Sequence, residues 1–109
     1  MNYKTHNDVE IKLMGTSYAG EIELDYYDII DKLGTPQTYD DYKTDVQWAL
    51  EFEDGCVATL YNWKDGKNYC GKDGLFPYQI RTWMVGCKTK TGFYRIVELF
   101  KGEQNETTD

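Results

Sequence analysis

Histidine is nearly missing from this 109-residue chain, which has only His6. The side chain that most often acts as a general base near neutral pH is therefore in short supply. No Gly-x-Ser-x-Gly, Walker or Gly-x-Gly-x-x-Gly pattern occurs. The usual nucleophile elbow, phosphate loop and dinucleotide fingerprint are thereby excluded, and no catalytic residue is expected. Three cysteines, Cys56, Cys70 and Cys87, show no Cys-x-x-Cys spacing and leave one thiol over under any pairing. That argues against a disulfide framework and against a zinc site, even with His6 as a fourth donor. Neither metal nor cofactor is expected. No apolar run approaches the ~18 residues of a membrane span, and no signal-peptide pattern opens the chain, so a cytoplasmic protein is expected.

Aromatic residues, in contrast, make up 16% of the chain, with ten tyrosines and three tryptophans. Enough surface can be buried for one domain over 1–109, with 1–10 and 103–109 expected to be flexible. Net charge is −7, unevenly divided. Met1–Trp63 carries 4 basic and 13 acidic residues, and Lys64–Asp109 carries 8 basic and 6 acidic. An acidic chain repels phosphate backbones, so direct nucleic-acid binding is not expected. The basic part remains able to hold a small anion. The acidic part reads as a solvated face or as a mimic of a nucleic-acid surface.

Val46–Trp63 organises the rest. Val46, Trp48, Leu50 and Phe52 alternate with polar or small residues, Asp54-Gly55 follows, and alternation resumes through Val57, Thr59, Tyr61 and Trp63. Alternation interrupted by Asp-Gly predicts a β-hairpin. A two-residue loop sets Phe52 opposite Val57, Leu50 opposite Thr59 and Trp48 opposite Tyr61. The buried face is then Val46, Trp48, Leu50, Phe52, Val57, Tyr61 and Trp63. Asp25 is a predicted N-cap for a helix carrying Tyr26, Ile29, Ile30 and Leu33 on one face, closed by Gly34 and Pro36. Phe93, Ile96, Val97 and Phe100 predict a second helix over Thr91–Lys101, in competition with a strand. With strands near Tyr18–Leu24 and Ile80–Gly86, the expected fold is α+β: a small antiparallel sheet with a central hairpin and two helices.

Lys64–Tyr78 is a long connection holding three glycines, three lysines and interleaved aromatics. Lysines, glycine-freed N–H groups and rings are the materials for cradling phosphate and stacking a base. A mobile surface loop with ordinary lysines is the other reading. Asn62 and Trp63 lead into this loop and Arg81 leaves it. An asparagine amide offers both donor and acceptor to an adenine edge.

The ordered set Gly15-Thr16-Ser17-x-x-Gly20, Leu33-Gly34-x-Pro36, Trp48-x-Leu50-x-Phe52-x-Asp54-Gly55, Ala58-Thr59-x-Tyr61-x-Trp63-Lys64 and Trp83-x-x-Gly86 resembles a family of small tailed-phage proteins. That resemblance spans roughly Gly15 to Glu98, and within the family the chain is similar to the Thoeris anti-defence 1 sponges. The resemblance implies a homo-oligomer that sequesters a small anionic cyclic nucleotide, a cyclic ADP-ribose isomer, in an infected bacterial host. It also implies a pocket with an aromatic ring on adenine, an asparagine beside it and arginines on the pyrophosphate. Phe52 and Asn62 match the ring and the amide; Arg81 and Arg95 are the arginines on offer, and Lys64 and Lys67 are point-charge substitutes without the bidentate fork. Cys87 departs from the pattern, standing where a second glycine is expected. A two-residue turn puts Phe52 and Asn62 on opposite faces, so a shared pocket requires a bulge-shifted pairing or a second subunit. The competing expectation is an acidic phage protein that inhibits a host defence protein by direct contact.

Overall fold

The computed structural model describes residues 2–38 and 43–106, with side chains through Lys101. Tyr39 and Tyr42, the only large side chains of the predicted 35–45 connection, lie outside them, as do Met1 and 107–109. The strands are β1 (Tyr3–Thr5), β2 (Ser17–Glu23), β3 (Gln37–Thr38), β4 (Val46–Phe52), β5 (Val57–Tyr61) and β6 (Thr82–Cys87). They form one antiparallel sheet in the order β1-β4-β5-β6-β2, with β3 pairing β4 beyond β1. The helices are α1 (Tyr26–Leu33), α2 (Lys67–Cys70) and α3 (Lys90–Glu106). The chain is therefore α+β with three helices, where the sequence predicts two. The extra one is a single turn inside the lysine-rich connection, which also contains 3₁₀ turns at Gly71–Asp73 and Pro77–Gln79.

Between β4 and β5 the register differs from expectation by one residue. The observed partners are Glu51 with Val57, Leu50 with Ala58, Ala49 with Thr59, Trp48 with Leu60 and Gln47 with Tyr61. Phe52 N–H donates to Cys56 O at 2.8 Å, and Gly55 N–H donates back to Phe52 O at 2.8 Å. The loop is thus Glu53-Asp54-Gly55, with Gly55 at φ +87°. A three-residue loop ending in a left-handed glycine competes with the two-residue turn for the same Asp-Gly signal. Because side chains alternate, one residue of slip reverses β5. Ala58, Leu60 and Asn62 now share the core face with Val46, Trp48, Leu50 and Phe52, and all seven are buried. Val57, Tyr61 and Trp63, predicted for that core, lie on the other face. Tyr61 is half-buried and Trp63 is 42% exposed there, whereas Val57 stays covered.

α1 is punctuated as predicted. The Asp25 carboxylate accepts from Tyr27 N–H at 3.1 Å, and Gly34, at φ +81°, donates its N–H to Ile30 O at 2.7 Å. Two core indoles tie the helix to the sheet. Trp83 Nε1 donates to Leu24 O at 3.1 Å just before the helix, and Trp48 Nε1 donates to Gly34 O at 2.8 Å just after it. The two rings meet edge to face at 5.3 Å, with Tyr26 against both. α3 prevails over the competing strand because Phe93, Ile96 and Phe100 all reach one core, whereas a strand would turn Phe93 and Ile96 to opposite faces. Its backbone continues to Glu106, past the expected stop near Gly102.

The first ten residues include β1, paired to β4 from Tyr3–Phe52 to Thr5–Leu50. His6 extends that pairing through its ring. Nδ1 accepts from Ala49 N–H at 3.2 Å, which makes Nε2 the donor to Thr35 O at 2.9 Å.

Candidate functional site

Where β5 ends, Asn62 is fully buried and fully used. Its Oδ1 accepts from the N–H groups of Asp45 (2.9 Å) and Val46 (3.1 Å). Its Nδ2 donates to Asp45 Oδ1 (3.0 Å) and Asp65 Oδ1 (3.1 Å). An amide has two acceptor and two donor positions, so none is left for a ligand. Asp45 Oδ2 also accepts from Asn68 N–H, and Asn68 Nδ2 donates to Thr44 O. Gly66 seats against this node: a side chain there would strike the Asp45 carboxylate and the Asn62 amide. Gly74 lies on Gly66 in turn, and Leu75 N–H donates to Asp65 O. The 64–75 segment is therefore clamped to the sheet by Asn62, and Gly66 and Gly74 serve close packing. Burial pushes the Asp65 carboxyl above its ordinary value, and the nearby Asp45 charge adds to that.

The expected binding residues fall into four places. Phe52 is buried, edge to face with Tyr3, and the Arg95 guanidinium lies 5.6 Å above its ring while pairing with Asp54. A cleft of about 420 Å³ beside this cluster is lined by Asn2, Tyr3, Lys4, Glu51, Phe52, Glu53 and Gly55. Arg81, beneath the start of α1, reaches Asp25 at 3.4 Å with most of its side chain in solvent. The third group surrounds Asn62. There Lys67 Nζ donates to Lys72 O at 3.0 Å and lies 4.4 Å over Phe76. The slipped register does put Phe52 and Asn62 on one face, but that face is the packed core.

Trp63 and Lys64 belong to a different surface, the open face of the sheet. The Lys43 and Lys64 ammonium groups lie 5.4 and 5.9 Å from the Trp63 ring. Tyr61 meets Trp63 edge to face at 6.3 Å. Next to them is a groove of about 440 Å³ lined by Tyr18, Glu21, Tyr61, Trp63 and Met84. A second hollow of about 230 Å³ continues from it along Thr16, Ser17, Thr59 and Gly86. Gly86 makes room for the floor, because a side chain there would strike Thr59 Oγ1. Burial, with Tyr18 nearby, pushes the Tyr61 hydroxyl above its ordinary value, so it stays protonated at neutral pH as a donor. Aromatic floor, thioether wall, two cations and one carboxylate can together receive a flat, charged small molecule.

Tyr18, Glu21, Lys43 and Met84 were not anticipated from the sequence. The two-residue register turns Tyr61 and Trp63 inward and removes the surface they share. The available signal was β5 itself, since Ala58, Leu60 and Asn62 alternate as regularly as Val57, Tyr61 and Trp63. No family model matches the chain, and no curated protein does either. Among the described residues no helix is long and apolar enough to cross a membrane, and no cluster of metal-ligating side chains occurs.

Proposed function

We propose that this chain is a non-enzymatic binding protein that sequesters a small anionic cyclic nucleotide, of the cyclic ADP-ribose isomer type, as a phage anti-defence sponge in the host cytoplasm. Trp63 carries the reading: an accessible indole beside an apolar groove, with two ammonium groups within 6 Å of its ring. A base stacked on such a ring gains about 1–3 kcal/mol. Lysines at its margin meet phosphate as point charges. The groove's volume lies in the range of small-molecule sites, but one side is open, and tight retention needs most of the ligand covered. A second copy closing over the groove meets that need, so the proposed working form is a homo-oligomer.

Calorimetry with cyclic ADP-ribose isomers tests this. Low-micromolar or tighter binding, lost in Trp63→Ala with the melting profile unchanged, is the expected result; no heat at high protein concentration refutes it. A second reading, inhibition of a host defence protein by direct contact, is favoured by Tyr18 and Tyr27, 59% and 61% exposed on the acidic half. Salt-sensitive capture of one host protein, together with silent calorimetry, selects it.

A further inference from the structure

The strand registers place Glu21 at the end of the groove. Glu21 is opposite Met84 across β2 and β6, Met84 is opposite Tyr61 across β6 and β5, and Tyr61 is opposite Gln47 across β5 and β4. These four residues make one row on the open face. At a strand spacing of about 4.8 Å, Glu21 stands about 10 Å from Tyr61, backbone to backbone. A purine lying over Met84 with a hydrogen bond at its edge fills that span. Charge is divided around the groove: Lys43 and Lys64 lie by the Trp63 ring, while Glu21 lines the cavity itself and has no ion-pair partner among the described residues. A bound nucleotide would therefore be oriented with phosphate toward the lysines and base edge toward the carboxylate.

Resting on the reading that this groove takes a nucleotide, we infer that Glu21 selects the base: a purine with an N–H donor edge, guanine first. A carboxylate accepts hydrogen bonds at two oxygens and donates none. Guanine presents two adjacent donors, N1–H and the 2-amino group, and matches both oxygens. Adenine presents its 6-amino group next to an acceptor nitrogen and matches one. Unsubstituted purine has no donor on that edge. An adenine-bearing ligand of the proposed kind therefore meets Glu21 with one donor, its 6-amino group, and a guanine counterpart meets it with two.

Fluorescence titration gives a direct test, because Trp48 and Trp83 are fully buried and Trp63 is the indole that a ligand can reach. The probes are GMP, AMP and purine riboside 5′-monophosphate. Affinity is expected to fall in that order, by about tenfold for each lost donor. Glu21→Gln, an exposed isosteric change, is expected to collapse the spread while keeping the melting profile. Equal affinities for the three, or an unchanged spread in Glu21→Gln, overturns the role of Glu21 and leaves the groove reading standing. Binding by none of them, up to millimolar concentration, overturns the groove reading and this inference with it.

Discussion

Replacing Asn62 by alanine is expected to destabilise the protein severely, although the side chain touches no proposed ligand. The change removes four hydrogen bonds from a residue with no solvent exposure. Neutral intramolecular bonds are worth about 0.5–1.5 kcal/mol net and those to charged groups about 1.5–3. Two of the four are to backbone N–H groups and two to carboxylates. Asp45 and Asp65 are half-buried and recover some hydration once the clamp opens, so the expected loss is about 4 kcal/mol. Natural domains have only about 5–15 kcal/mol in total. Asn62→Asp separates the contributions. It keeps the shape and both acceptor bonds, but loses both donors and sets a third carboxylate against Asp45 and Asp65. Its penalty should shrink as the pH is lowered into the carboxylate range. Urea unfolding monitored by tryptophan fluorescence reads both variants, and hydrogen exchange at Asn68 N–H reads the clamp. A loss below about 1 kcal/mol for Asn62→Ala, or wild-type stability of Asn62→Asp at neutral pH, would refute the reasoning.

Asp65 has its proton affinity raised by burial, so the native state holds that proton more tightly than the unfolded chain. The stability it adds is complete below the unfolded value and is lost as pH rises through the folded one. Asp65→Asn should therefore flatten the stability profile just above the ordinary carboxylate range, as measured by denaturation at stepped pH. Asp54 is shifted the opposite way, lowered first by its hydrogen bond from Arg95 and then by the Cys56 N–H. Its contribution is present above the unfolded value and disappears as pH falls through the folded one; carboxyl NMR should show a low midpoint that rises in Arg95→Ala. Gly55→Ala adds a methyl group in open space at φ +87°, so the expected cost is backbone strain alone, about 1 kcal/mol by chemical denaturation.

α1 was legible in the sequence because its signals are local: Asp25, the Ile29–Leu33 spacing and Gly34 act within one or two turns of one another. The antiparallel α+β class was legible from alternation. What alternation leaves undecided is phase. Asp54-Gly55 is compatible with a loop of two residues or of three. The choice rests on long-range terms: Leu60 packing in the core, Asn62 meeting Asp45 and Asp65, and Arg95 reaching the tip from α3. None of these is visible within a hairpin-sized window. Asn62 was singled out for an amide with both donor and acceptor, and the same property fits it to join two backbone N–H groups and two carboxylates. The first strand was missed for a related reason: three residues and a histidine ring have no periodicity to read, only partners on β4.

Because the Glu53-Asp54-Gly55 loop has an odd number of residues, length at this tip matters more than identity. Swapping one amino acid there alters local comfort, whereas deleting one would trade the inner and outer sides of an entire strand. The indole and phenol now facing water would be driven inward, and the residues that hold the lysine-bearing segment in place would be expelled. Variants with a shortened tip should thus lose anchoring and ligand surface in a single step.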